Sequence, residues 1–214
     1  MTFVPTLYYS PGAVSLAAHF ALEESGVPYR LEQISVKDGQ QRSERYLDIH
    51  PLGRLPALEL EPGVVLTETP ALLGYIAELA PERALLPTSG LARARADEWL
   101  SLGATTLHVM FLCFFRPDRY TSDQAAQDAL RADGKERFVR LLAHVDARLT
   151  PGGFALGADY SLVDASLAVF LLWARRFELP VASLQRYGVL TDRVLGRPAV
   201  QRALEQEGLA PRRS

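Results

Sequence analysis

The sequence predicts two units: an α/β unit of order β-α-β-β-β-α with a mixed sheet over residues 1–81, and an all-α unit over residues 91–214, joined by a linker at 82–90. Three observations predict this. Short β-branched and aromatic runs alternate with helical patterns as far as Pro81. Beyond it, strand texture gives way to long helical periodicities. Between them, PERALLPTSG carries two prolines and a glycine.

Each element follows from local chemistry. TLYYS is a β-branched and aromatic run, so it reads as a strand; AVSLAAHFALEESG then sets Val14, Leu16, Ala17, Phe20 and Ala21 on one helical face and closes on Gly26, a natural C-cap. PYRLEQISV is the second strand, and KDGQQRSERYLDIHP a polar loop with a short helix. LPALEL and VVLTET flank EPG as a hairpin. TPALLGYIAELAP is a helix with Thr69 as N-cap, Pro70 at the first helical position and Pro81 as stop. A helix between the first two strands is a crossover, which makes that pair parallel and the sheet mixed. From LARARADEWLSLGATTLHVMFLCFF onward four or five helices fit, broken at RPDRYTSD, TPGGFALGADYS, ELPVAS and GRP. Ser161 and Asp164, three apart before an apolar helix, form a capping-box-like start with a folding role.

Composition excludes several functions. The chain has 214 residues, 48% hydrophobic and 22% charged, with a formal charge of -2 and no basic stripe, so nucleic acid is not an expected partner. No apolar run reaches the ~18 residues of a membrane span, and MTFVPTLYYSPG lacks a basic region leading into an apolar core, so a cytoplasmic address is expected. Cys113 is the only cysteine and sits among bulky apolar neighbours, which reads as packing; no intrachain disulfide or cysteine metal site follows. Histidines at 19, 50, 108 and 144 show neither HxxH nor HExxH spacing, so no metal is expected.

Three features of the α/β unit point to a ligand. Ser10-Pro11-Gly12 links a strand to a helix, and such a turn aims free N–H groups and a partial positive charge at whatever fills the gap. Pro56, in GRLPAL, enters a strand where it forfeits a ladder donor, which suits a sheet edge or a cis peptide. Glu68 stands beside Thr69 and Pro70 at another helix start. Alone, Glu68-Thr69-Pro70 reads as a capped helix and Pro56 as an edge-strand proline; only together do they favour a ligand site.

At these spacings the stretches LYYSPGAVSLAAHFAL, HPLGRLPAL, LTETPALLGYIAELAP, EWLSLGATTLH, FFRP and GRPAVQRALEQEGL resemble the glutathione transferases, most closely the bacterial beta class, over nearly the whole chain. The resemblance implies a thioredoxin-like N-terminal domain and an all-α C-terminal domain that contributes an electrophile pocket. It also implies a homodimer, glutathione as co-substrate with no bound cofactor, and an apolar small-molecule electrophile as second substrate. Leu55, before a cis Pro56, would pair its backbone with the cysteinyl part of glutathione as an added strand pairs with a sheet edge. Glu68 and Thr69 would hold the γ-glutamyl head.

The sequence departs from the beta class at the thiol site, where Val14 stands in place of cysteine. Candidate donors to the glutathione sulfur are then Ser15 first, Tyr9 second, or the backbone N–H groups of Val14 and Ser15. Ser15 serves equally well as a residue capping or lining the helix start. His108 lies in an apolar helix that aligns with the one from which beta-class proteins direct a histidine at the sulfur; Ser101, seven residues earlier, would lie on the same face and reach the ligand. Met110, Phe111, Phe114 and Phe115 pack a core and in part line an apolar cavity. The activity implied is conjugation, with glutathione-dependent peroxidase activity compatible. The alternative is a non-catalytic glutathione-binding or scaffold protein of the same fold.

Overall fold

The computed structural model describes residues 3–209, which form two compact units. One takes the chain as far as Leu86 and resumes at Leu195; the other is Pro87–Val194.

In the first unit, β1 (Thr6–Tyr9) leads into α1 (Ser15–Ser25), then β2 (Arg30–Gln33), the short α2 (Glu44–Ile49), the hairpin of β3 (Ala57–Glu61) and β4 (Val64–Thr67), and α3 (Thr69–Leu79). The sheet order is β2-β1-β3-β4, with β1 parallel to β2 and antiparallel to β3, and β3 antiparallel to β4. This is the expected mixed sheet, in a thioredoxin-like unit. Gly26 closes α1 at φ 72, where a side chain would be strained. β1 shows the two-residue alternation directly: Tyr9 faces His19 of α1, whereas Tyr8 turns to Tyr46 of α2, ring centroids 5.8 Å apart. Tyr8 gives its hydroxyl proton to Glu59, and burial, followed by that carboxylate, pushes its phenol up to about 12.

Two expectations need correction here. Thr69 is not the N-cap of α3: Glu68 is, at φ 69 and ψ 117, with Thr69 and Pro70 inside the first turn. Residues 91–214 do not all belong to the helical unit either, because α9 (Pro198–Gln206) joins the first unit and packs on α1. Its apolar face, Ala199, Val200, Ala203 and Leu204, is buried, and Arg197 and Arg202 reach Glu24 and Glu23 of α1. An amphipathic helix settles where it finds an apolar surface, whatever its sequence neighbours do.

The second unit holds α4 (Gly90–Leu102), α5 (His108–Phe115), α6 (Gln124–Arg148), α7 (Leu162–Arg176) and α8 (Gln185–Leu195), the last ending at the boundary. A π-helical turn, Gly103–Leu107, joins α4 to α5. It interrupts the unbroken α-helical spacing on which Ser101 and His108 were expected to share a face. The stretch Gly90–Phe115 is long and apolar enough to cross a bilayer by length and composition alone, with a window of mean hydropathy 1.3. Within the unit it packs against α6 and α7, burying Trp99, Leu100, Leu107, Phe111 and Phe114. α5 and α6 meet at Gly134, where a Cβ would lie 3.0 Å from the Phe114 nitrogen.

The capping box of α7 is present. Asp164 accepts the Ser161 N–H at 2.8 Å and the Ser161 hydroxyl at 3.0 Å, and its other oxygen accepts the Ala155 N–H at 2.7 Å. Burial pushes its carboxyl above the usual range, against the pull of these donors. Asp164→Ala leaves the donors unpaired in the interior and should lower stability by about 2–4 kcal/mol. Both tryptophans, Trp99 and Trp173, lie in this unit, so urea unfolding followed by their fluorescence measures the loss.

Candidate functional site

Strand register assembles the candidate site. β1 pairs with β3 so that Tyr8 lies opposite Ala57, and β3 pairs with β4 so that Ala57 lies opposite Thr67. One step further along each strand come Tyr9, Pro56 and Glu68. The start of α1, the peptide before Pro56 and the start of α3 therefore gather at one end of the sheet. The Leu55–Pro56 peptide is cis. Leu55 precedes β3, its side chain packs on the Tyr8, Ile34, Tyr46 and Ala57 cluster, and its N–H and C=O find no partner among the described residues. It is an unpaired stretch of backbone beside a sheet.

Glu68 is exposed, and its positive φ is one that a non-glycine residue adopts only when its surroundings impose it. Its carbonyl accepts the Leu72 N–H at 3.0 Å, while no side-chain cap occupies the first turn of α3. A carboxylate, a half-buried Thr69 hydroxyl and free helix-start N–H groups thus stand together.

At the start of α1 the Ser10–Val14 turn is held from within. Ala13 N–H donates to the Ser10 carbonyl at 3.0 Å, and Leu16 N–H to the Ala13 carbonyl at 3.1 Å. Ser15 is fully buried; its Oγ accepts the Ser10 N–H and donates to the Ser10 carbonyl, both at 3.2 Å. The Ser15 hydroxyl is thus engaged with the turn. Tyr9 is 6% exposed with its ring 6.0 Å from His19, and burial, then the nearby Glu207 carboxylate, push its phenol upward. It too faces inward. Val14, at the N-cap of α1, and Ser15 leave their N–H groups as the orphan donors of this helix start.

His108 and Ser101 belong to the helical unit. His108 is half-buried with its ring 5.7 Å from Trp173; Ser101 is exposed, and its carbonyl accepts the Thr105 hydroxyl at 2.8 Å. Cys113 is half-buried beside Gly134. Among the described residues no three His, Cys, Asp or Glu side chains gather as metal ligands would.

Sequence reasoning missed the groups that hold the site in shape. Gly12 N–H donates to Glu207 Oε2 at 2.8 Å, and Glu207 Oε1 lies 2.8 Å from His19 Nδ1, both side chains fully buried. His19 Nε2 reaches Gln206 Oε1 at 2.7 Å and the Tyr29 hydroxyl at 3.1 Å. A histidine inside AAHFAL was the only available signal. His50 is also buried: its Nδ1 accepts the Leu52 N–H at 3.3 Å. Burial holds its imidazole below the ordinary histidine range, opposed by Glu68 and assisted by Arg54.

Comparison with known proteins matches this architecture. Residues 4–78 match the family model for the glutathione S-transferase N-terminal domain and residues 128–205 that for the C-terminal domain. The glutathione S-transferase GstA of Escherichia coli O157:H7 is 35% identical over 95% of this chain and 98% of its own length. The chain belongs to the glutathione transferase family. Within that family it stands near the bacterial beta class. The beta-class enzyme of Sphingomonas chungbukensis is 33% identical with a TM-score of 0.83, covering 96% of this chain and 100% of its own. A glutathione transferase homologue from Sulfitobacter with bound glutathione is 32% identical with a TM-score of 0.91, over 98% and 100% of the two chains.

Two outcomes follow for stability. Glu207→Ala removes the carboxylate that meets both Gly12 N–H and His19 Nδ1 and should cost about 2–4 kcal/mol in urea unfolding, with Glu207→Gln costing less because it keeps one acceptor. His50 binds its proton at lower pH in the folded protein than in the unfolded chain, so stability falls as pH drops below about 6.5. Thermal melts across that range should show a shallower fall in His50→Asn.

Proposed function

We propose that this protein binds glutathione and transfers its thiolate sulfur to an apolar electrophile: a C–S bond forms as the leaving group departs or the acceptor double bond takes up a proton. The observation that carries the reading is the convergence of an unpaired Leu55 peptide, the Glu68-Thr69 helix start and the α1 helix start at one sheet end. Leu55 would extend the sheet by one short strand formed by the cysteinyl peptide unit. Thr69, with the N–H groups of α3, would hold the γ-glutamyl carboxylate, and Glu68 the ammonium. The sulfur would then lie at the start of α1, within reach of the Val14 and Ser15 N–H groups, with Ser15 acting as the clamp of that turn.

No side chain at position 14 can form a mixed disulfide, so the reading favours conjugation over thiol reduction. Glutathione-dependent peroxidase activity needs only the thiolate and is retained in it. Exposed or half-buried apolar side chains of α5, Val109, Met110 and Phe115, support an apolar second substrate, with His108 and Ser101 as neighbouring polar groups. A homodimer in the cytoplasm is proposed from family membership alone, and sedimentation of the purified chain tests the dimer.

Calorimetry with glutathione and turnover with an activated aryl halide test the reading together. Wild type should bind and turn over. Glu68→Gln or Thr69→Val should weaken binding by about tenfold or more, as expected for a charge-assisted hydrogen bond. Ser15→Ala should leave the bound thiol's apparent pKa, read from thiolate absorbance, within a few tenths of wild type. A rise of about one unit would return the donor role to its hydroxyl. Binding without turnover would favour a carrier, and no binding a scaffold.

A further inference from the structure

The residues between α2 and Pro56 carry more structure than a connector needs. The loop Pro51–Leu55 is tied back to α2 at three points: Leu52 N–H donates to His50 Nδ1 at 3.3 Å, Gly53 N–H to the His50 carbonyl at 2.8 Å, and the Tyr46 hydroxyl to the Arg54 carbonyl at 2.6 Å. Tyr46 is 1% exposed and His50 4%, their rings 6.5 Å apart. Gly53 has φ 58, and a Cβ on it would lie 2.6 Å from the Gln41 carbonyl oxygen, so the loop is seated against the preceding turn as well. The residue after these ties is Leu55.

We infer that Tyr46 and His50 are positioning residues for glutathione: they brace the loop that presents the Leu55 peptide, and the His50 tie makes the brace dependent on pH. The inference rests on the glutathione reading of the Leu55 and Glu68 site. A backbone N–H can only donate, so His50 Nδ1 must be unprotonated to receive Leu52. The bond spans residue i to residue i+2, as in an Asx turn, so the asparagine carboxamide oxygen is the non-titrating equivalent. Protonation acts twice. It removes the acceptor for Leu52 N–H, and it puts a positive charge within electrostatic range of Glu68, which weakens that carboxylate's attraction for the ligand's ammonium. The charges that reach His50 are Glu68 at the start of α3 and Arg54 in its own loop, and Tyr46 of α2 packs beside it. Burial delays the protonation to acid pH, so the brace is intact at neutral pH.

Isothermal titration of glutathione into wild type, His50→Asn and Tyr46→Phe at pH 7.5 and pH 5.0 tests this. Wild type should bind about fivefold more weakly at the lower pH, the equivalent of one hydrogen bond of about 1 kcal/mol. His50→Asn should hold wild-type affinity at pH 7.5 and lose most of the pH difference. Tyr46→Phe should raise Kd about fivefold at both pH values while keeping the difference, and raise KM for glutathione with kcat little changed. Hydrogen exchange of the Leu52 amide in the unliganded protein, corrected for the intrinsic rate, gives a readout that needs no ligand: protection should fall at pH 5.0 in wild type. A pH ratio unchanged by His50→Asn, or a wild-type Kd in a folded Tyr46→Phe, overturns this inference alone. Absence of glutathione binding by wild type at pH 7.5 overturns the glutathione reading and the inference with it.

Discussion

The register of β1 against β3, and of β3 against β4, is the constraint on which the rest depends. Because side chains alternate with a period of two, a one-residue slip would exchange Tyr8 and Tyr9 between the α2 face and the α1 face and displace both helix starts from the peptide before Pro56. In the register observed, the polar groups gathered at the sheet end are mainly backbone: the Leu55 N–H and C=O, and the first-turn N–H groups of α1 and α3. A site built from main chain tolerates side-chain change. Thr69 supplies a hydroxyl beside the start of α3, and Val14 in place of cysteine leaves the start of α1 where it was.

That helix start is secured from the far end of the chain. Glu207 lies 195 residues from Gly12 and nevertheless accepts its N–H, while its second oxygen meets His19 on the buried side of α1. The turn therefore depends on the docking of α9. Apolar burial of Ala199, Val200, Ala203 and Leu204 supplies most of that docking. The Arg202–Glu23 pair is half exposed on the arginine side and contributes little; the Arg197–Glu24 pair, in which a less exposed arginine meets both carboxylate oxygens, contributes more. Burying a carboxylate costs several kcal/mol unless its partners are well placed, and here each oxygen has one at 2.8 Å.

What could be read in the sequence was local. The strand of Leu7–Tyr9, the Gly26 cap, the hairpin around Pro62 and the Ser161–Asp164 box are each decided within a few residues, and each is found. The Leu55–Pro56 and Glu68 positions were legible through a resemblance, not through propensity. The remainder required a tertiary surface. Thr69 has the chemistry of an N-cap, yet the cap falls one residue earlier, on Glu68 at positive φ, a backbone state that side-chain chemistry does not announce. The inward turn of Ser15 and Tyr9 follows from α9 and the closed turn, which the local pattern does not encode. α9 looked like the last helix of its neighbours because periodicity reports an apolar face without naming the surface it meets. His50 was weighed only as a metal ligand and set aside on spacing; its acceptor role toward Leu52 depends on a loop geometry that no spacing rule describes.

The absence of cysteine at position 14 changes how a thiolate could be stabilised. A free thiol titrates near ~8.5, and each unit of lowering requires ~1.4 kcal/mol of preference for the anion. A partly buried helix terminus contributes up to ~2 kcal/mol to a charge at its end, and one N–H bond to an anion about 1.5–3 kcal/mol in place of water. The two overlap, since the dipole of a helix end resides largely in its free N–H groups, so about 2 kcal/mol is a fair joint figure. That lowers the thiol by about 1.5 units, to near neutrality, where about half is ionised. In the glutathione reading the start of α1 would then suffice for a working thiolate without a side-chain donor, through the Val14 N–H and the dipole of the helix end. Ser15 Oγ, clasping Ser10, and Glu207, clasping Gly12, hold the turn that leads into it. In that reading both side chains act on the sulfur through the turn they hold, and not by touching it.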